Sequence, residues 1–292
     1  MRVGFVGLGK MGGAIASRIL AAGYDLVGYS RTKARAEVLI AAGMGWRDSA
    51  RQVAEEAEVI CTMLPDDEAL AAAMAGSKGI LAGLQAGAVY VDMSTVSPAL
   101  TRRLAEQVDA RGASMLDAPV SGSPATVEQG RLSFMVGGDT AALERVMPLL
   151  LAIGPAATHV GDIGQASLMK LAVNLSVAVQ FMVFAEGMVL AEKGGLDRQK
   201  ALEVIFNSAV ASPSIKYRGS FVNEMPEQAW FDVRMMQKDL QLAMEAAREL
   251  GVALPTTAAT SQMLSAASGM GLGDQDFAAI YQVLCRMSGL RT

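Results

Sequence analysis

Cysteine, histidine and clustered basic residues are scarce in this chain, and each scarcity removes a class of function. Two cysteines occur in 292 residues, Cys61 and Cys285, far apart and in apolar surroundings. That excludes a disulfide scaffold and a cysteine-held zinc cluster, and it fits a reduced cytoplasm. The one histidine, His159 in "ATHVGDIG", leaves Ser–His–Asp hydrolysis with a single candidate base, and the G-x-S-x-G turn that would carry a nucleophile does not occur. His159 reads as structural. No metal cluster and no pair of carboxylates at catalytic spacing is visible, so no metal is expected. The formal net charge is -4 and there is no run of Lys and Arg, which argues against a nucleic-acid surface. The start "MRVGFVGLG" enters a strand-like run at once, so no signal peptide is expected. The most apolar window, 163–185, holds Lys170, Asn174, Ser176 and Gln180, too polar for a membrane span. A soluble protein with a small-molecule partner is the expectation.

What is present is apolar and ordered. A 52% apolar and 18% charged composition describes a well-packed globular chain, and its length suits two domains. From residue 1 to about 160, strand-like runs alternate with helix-period segments: "RVGFVG", "DLVGYS", "EVICTML", "AVYVDM", "SMLDAP", "LSFMVGG" and "ATHVG" are the expected strands. Helices are expected at 11–22, 33–42, 66–75, 97–111 and 140–152 between them. This βαβ rhythm implies a mostly parallel, doubly wound α/β sheet. After 163 the strand signals stop. One long helix is expected at 163–193, ended by Gly194 and Gly195, with others at 197–208, 234–250, 255–268 and 275–286. The expected division is 1–162, a nucleotide-binding domain, and 163–292, an all-helical domain. A helix apolar nearly all round needs cover on every side, which suggests a central strut and a homodimer.

In "VGFVGLGKMGGAIASRIL", Gly7, Gly9 and Gly12 have the spacing G-x-G-x-x-G between a strand and a helix. Gly7 makes the tight turn, Gly9 lets backbone approach a pyrophosphate, and Gly12 lets the helix pack on the strand. The helix N-terminus then faces the phosphates, with Leu8, Lys10 and Met11 lining the turn. Where an NAD-binding chain usually has an acid for the ribose 2′-hydroxyl, this one reads "GYSRTKAR". Ser30, Arg31 and Thr32 offer a 2′-phosphate donors and positive charge, so NADP(H) is favoured over NAD(H).

Lys170 is the one charged residue between Asp162 and Glu186, and Asn174 lies four residues on, on the same helical face. On the helix alone two readings stand. The lysine snorkels to water past its apolar neighbours, or ammonium and amide together hold a reacting oxygen, with Lys170 as proton donor. In "DAPVSGSPATVEQG", Pro119, Gly122 and Pro124 read as a turn, and an N–H-rich turn is also an anion site.

Together these stretches resemble the β-hydroxyacid dehydrogenase family, which includes 3-hydroxyisobutyrate dehydrogenase, tartronate semialdehyde reductase and the glyoxylate/succinic semialdehyde reductases. The resemblance rests on "GFVGLGKMG", "DAPVSGSPATVEQGRL", "GQASLMKLAVN" and "QKDLQLAMEAARELGVALP", in that order along nearly the whole chain. It implies a Rossmann domain joined by a long interdomain helix to an all-α domain, with the active site in the cleft. It implies that Lys170 is the catalytic acid/base, that Asn174 helps to hold the substrate, and that Ser121 and Gly122 bind its carboxylate. Thr95, with Met63, Leu64 and Pro65, matches the loops lining the nicotinamide ribose. Lys238 matches a lysine that reaches toward the cofactor, with a surface ion pair to Asp239 or Asp232 as the lesser alternative, and Phe231 is a candidate for the pocket lining. The chain departs from the many members that read "SGG" in having Ser123 after "SG", which adds a hydroxyl at the substrate loop. "SGS", "DMSTV" and "MKLAVN" look closest to the NADPH-dependent glyoxylate/succinic semialdehyde reductases. The expected reaction is reduction of a small aldehyde acid. Oxidation of a β-hydroxyacid, imine reduction and nucleotide binding without turnover are the alternatives.

Overall fold

A computed structural model describes residues 1–290. Its sheet contains β1 (Arg2–Val6), β2 (Asp25–Tyr29), β3 (Gly45–Trp46), β4 (Val59–Thr62), β5 (Val89–Asp92), β6 (Ser114–Asp117), β7 (Val120–Ser121), β8 (Ser133–Gly138) and β9 (Ala156–Gly161). The order is β3-β2-β1-β4-β5-β6-β8-β7, with β9 paired to β8. β1 through β6 run parallel, so each needs a crossover; β8 pairs antiparallel with both β6 and β7. Buried on both faces, the parallel strands read as unbroken apolar runs such as "VGFV" and "VYV".

The crossovers and covering helices are α1 (Lys10–Ala21), α2 (Glu37–Ala41), α3 (Ala50–Glu56), α4 (Asp67–Met74), α5 (Ile80–Gly83), α6 (Pro98–Asp109), α7 (Pro124–Glu128) and α8 (Thr140–Ile153). Two apolar clusters fill the space on the sheet. One holds Phe5, Leu8, Ile15, Ile19, Phe134 and Val146, and the other holds Val53, Ile60, Leu70, Tyr90 and Leu104. All seven strands expected from the sequence form; β3 and β7, two residues each, are too short to show a period. The segment 33–42 divides into a 3₁₀ turn, Lys33–Ala36, followed by α2. The unforeseen α3, α5 and α7 span seven, four and five residues, too short for a readable helical stripe.

The remaining helices are α9 (Gln165–Lys193), α10 (Arg198–Phe206), α11 (Pro213–Arg218), α12 (Val233–Leu250), α13 (Pro255–Gly269) and α14 (Ile280–Met287), the last preceded by a 3₁₀ turn at Phe277–Ala279. The chain forms two compact units, Met1–Lys170 and a second beginning at Leu171. The division falls inside α9 rather than at 162/163, because the first turn of that helix is hydrogen-bonded to β6 and α6. The second unit's core gathers Phe181, Met188, Leu202, Met236, Leu264, Phe277 and Tyr281. Beneath it, Arg218 and Asp276 form an ion pair at 3.0 Å, with side chains 4% and 0% exposed. Asp276 also accepts from the backbone N–H groups of Trp230, Phe231 and Ala278, so the buried charge is fully engaged.

Within one chain α9 is covered on part of its surface. By length and composition it could cross a membrane, yet Ala178, Phe181, Phe184, Ala185 and Met188 belong to the second core while Val183 and Leu190 are 60% and 76% exposed.

One close backbone approach in the first unit lies where α1 meets β1. A Cβ on Gly12 would sit 2.0 Å from the Gly7 carbonyl oxygen and 3.1 Å from the Phe5 ring. Gly12→Ala is expected to cost about 2–3 kcal/mol, which lowers the melting temperature by about 5–10 °C in a circular-dichroism melt. An unchanged melting temperature would refute this packing.

Candidate active site

The glycine turn leaves β1 with Gly7 at φ +101°, a left-handed conformation in which any side chain is strained, and a Cβ there would also meet the Met63 carbonyl oxygen at 2.4 Å. Gly9 is the N-cap of α1 and supplies no side-chain cap. A Cβ on Gly9 would meet nothing within 4 Å, so open space lies before the helix N-terminus. Uncapped first-turn amides facing open space fit the pyrophosphate of a dinucleotide. Lys10 is exposed and Met11 half-buried, whereas the Leu8 side chain is 2% exposed inside the sheet core, which leaves only its backbone for a ligand.

Beyond β2, Ser30 is half-buried and Arg31 and Thr32 are exposed, and residues 30–36 include no acid. Sequence reasoning missed Trp46. It lies on β3 beside the end of β2, its ring 6.0 Å from Tyr29 and 5.5 Å from Lys33 Nζ. The basic turn therefore has an aromatic wall, which a two-residue strand did not announce.

Asp92 ties the ends of β4 and β5 together. Its Oδ1 accepts from Thr62 Oγ1 at 2.6 Å, Ser94 Oγ at 2.6 Å and Ser94 N at 3.2 Å, and Ser94 Oγ accepts from Leu64 N at 2.9 Å. This network sets the loop Met63–Pro65 against the loop that carries half-buried Thr95. Burial pushes the Asp92 carboxyl up to about 6, against hydrogen bonds from Ser94 and Thr62 that pull it down. The sign follows: folding is favoured by the proton that Asp92 holds below its unfolded value near 4, and that contribution fades as pH rises through about 6. A lone acid in the otherwise apolar "VYVDM" was the sequence signal for this residue.

The loop around Ser121–Ser123 is more structured than a turn. Ser121 lies in β7, opposite Ser133 on β8, and Gly122 is at φ +146°, where a Cβ would crowd Leu132 and Thr126. Ser123 is the N-cap of α7. Its Oγ accepts from Thr126 N at 3.4 Å and lies 3.1 Å from Thr126 Oγ1, so the hydroxyl is occupied locally. His159 lies on β9 with Nε2 2.9 Å from the Gly138 carbonyl oxygen, a structural contact.

Lys170 and Asn174 stand one turn apart on the unbroken helix α9, half-buried and buried respectively. The Asn174 amide donates through Nδ2 to Asp239 Oδ2. A carboxylate only accepts, so the amide nitrogen faces Asp239 and the Asn174 carbonyl points away. Lys238 Nζ lies 2.9 Å from Asp239 Oδ1, an ion pair whose acid is 1% exposed. The pairing with Asp239 is thus realised, but around a buried carboxylate rather than on the surface. Sequence reasoning named Asp239 as a partner of Lys238 but passed over its bond to Asn174, 65 residues away. Phe231 is half-buried with both backbone groups pinned: its N–H donates to Asp276 at 3.2 Å and its carbonyl accepts from Phe277 N at 3.0 Å.

Comparison with known proteins agrees with this architecture. The model of the NAD binding domain of 6-phosphogluconate dehydrogenase matches residues 2–161, and that of the NAD-binding region of NADP-dependent 3-hydroxyisobutyrate dehydrogenase matches 164–284. The chain is 32% identical to glyoxylate/succinic semialdehyde reductase 2 of Arabidopsis thaliana, over 97% of this chain and 79% of that protein. It is 34% identical to 2-(hydroxymethyl)glutarate dehydrogenase of Eubacterium barkeri, over 99% and 97%. The solved structure of Mycobacterium tuberculosis 3-hydroxyisobutyrate dehydrogenase with L-serine superposes with a TM-score of 0.86 at 29% identity, covering 97% of this chain and 98% of that one. A glycine turn built for a dinucleotide, a helical second unit and relatives across the full length lead to one assignment: the chain belongs to the β-hydroxyacid dehydrogenase family of nicotinamide-dependent oxidoreductases.

Proposed function

We propose that this enzyme reduces a small aldehyde acid of the glyoxylate or succinic semialdehyde class to the hydroxy acid, with NADPH as reductant and Lys170 as proton donor. The observation that carries the reading is the pair Lys170 and Asn174, one turn apart, with the amide oriented by buried Asp239. Relatives named glyoxylate/succinic semialdehyde reductase support the substrate class.

Bound NADPH supplies the hydride to the carbonyl carbon. Gly7, Gly9 and Gly12 would give the backbone for its pyrophosphate, Arg31 with Ser30 and Thr32 would receive the 2′-phosphate, Met63–Pro65 and Thr95 would flank the nicotinamide ribose, and Lys238 would add positive charge for the cofactor. Ser121 and Gly122 would hold the substrate carboxylate through a hydroxyl and backbone N–H, and Phe231 is a candidate contact for its apolar part. Negative charge grows on the carbonyl oxygen as the hydride arrives. Lys170 Nζ gives that oxygen its proton, and Asn174 orients it.

One rival has a specific observation behind it. The structural relative with L-serine bound supports oxidation of a β-hydroxyacid, and initial rates in both directions on glyoxylate, succinic semialdehyde, tartronate semialdehyde, 3-hydroxyisobutyrate and L-serine decide between the two. A dimer in a reducing cytoplasm completes the proposal, since Val183 and Leu190 leave an apolar face on α9 and both cysteines are buried. A single monomer mass in light scattering would remove the dimer.

Lys170→Ala is expected to lower kcat by about two to four orders of magnitude while the KM for NADPH stays within about twofold. Retained turnover would mean that the proton comes from elsewhere. The wild type is expected to show higher kcat/KM with NADPH than with NADH, and Arg31→Ala to cut that ratio by about tenfold or more, the worth of one charge-assisted hydrogen bond. A preference for NADH would sink the cofactor assignment.

A further inference from the structure

The helix that carries Lys170 has an unusual start. Its N-cap position is Gly164, which has no side chain with which to accept the first-turn amides. Asp117, at the end of β6, accepts them instead. Its Oδ1 takes the Gly164 N–H at 2.9 Å, and its Oδ2 takes the Ser167 N–H at 2.7 Å and the Ser167 hydroxyl at 2.9 Å. Ser167 Oγ lies in turn 3.1 Å from Thr101 Oγ1 on α6.

The fit is close on every side. Asp117 and Ser167 are 1% and 2% exposed. A Cβ on Gly137 of β8 would stand 2.5 Å from Asp117 Oδ1 and 3.2 Å from Ala166 N, so the strand beside Asp117 is glycine where the helix comes in. Two oxygens holding two amides and a hydroxyl fix both the height and the rotation of the first turn against β6. Lys170 lies three residues beyond Ser167, less than one turn, or about 4.5 Å along the axis. An error at the cap is therefore delivered almost undiminished to the ammonium. Asp117 also stands three residues before Val120, the first residue of β7, at the stem of the proposed substrate loop.

We propose that Asp117 is a positioning residue for proton transfer: by capping α9 from the sheet, it sets the place of Lys170 Nζ relative to the loop that begins at β7. The proposal rests on the reading of Lys170 as the proton donor. Asp117 touches neither substrate nor cofactor and acts only through the helix.

The test is a double-mutant cycle between Asp117→Asn and Lys170→Ala, with Ser167→Ala as a gentler second probe that removes one hydroxyl from the cap and leaves its amide. Asp117→Asn is expected to lower kcat by about tenfold or more, as a small displacement of a catalytic group does, with the KM for NADPH within about twofold. Ser167→Ala is expected to lower kcat by a smaller factor. On the Lys170→Ala background neither change is expected to reduce the residual rate further, because the group they position is gone. If either lowers that residual rate by the same factor as it lowers the wild-type rate, the effect does not pass through Lys170 and the proposal is overturned. If Asp117→Asn does not fold, the Ser167→Ala cycle decides the matter alone. Full turnover in Lys170→Ala would instead overturn the assignment of the proton donor, and this proposal with it.

Discussion

Parallel strands end in backbone that their neighbours do not satisfy, and the first unit depends on how those ends are tied. The acceptors are two buried acids, Asp92 and Asp117, which stand opposite each other in the register of β5 and β6. Asp92 gathers Thr62 and Ser94 and, through Ser94, Leu64, so it shapes the loops assigned to the nicotinamide side. Asp117 gathers Gly164 and Ser167, so it docks the helix that leaves the sheet. An unpaired buried acid is costly, and the donors around each one offset that cost. The functional loops are thus held by polar contacts beneath them, while the apolar clusters hold the sheet itself.

The second unit repeats the device with different residues. Asp239 receives the Asn174 amide and the Lys238 ammonium, and Asp276 receives Arg218 and the amides of Trp230 and Phe231. Each residue assigned to substrate or cofactor in this unit is one contact away from a buried acid. Such groups lose side-chain freedom in the folded state before any ligand arrives, which lowers the entropy left to be lost on binding.

How much of this was legible in the sequence depends on the length of the signal. The seven longer strands were readable as apolar runs between turn signals, the glycine turn as a spacing, and α9 as one long apolar segment. That Lys170 and Asn174 share one helical face follows from spacing alone. The long-range partners of Asp92, Asp117, Asp239 and Asp276 were not visible, because Thr62, Gly164, Asn174 and Arg218 lie 30 to 65 residues from the acids that they meet. Trp46 and the strand pairing of Ser121 were hidden for the opposite reason, since two-residue strands carry no period. Ser123 was read as a hydroxyl for the substrate, whereas Ser-Pro followed by Thr126 is also the pattern of a helix cap, and the cap is what forms.

The glycine turn separates what the chain requires from what its ligand requires. At Gly7 and Gly12 a methyl group would strike backbone of the protein's own. At Gly9 it would strike nothing. The folded chain has room for a side chain there and does not use it, and that room is what a dinucleotide's pyrophosphate needs to approach the backbone at the start of α1.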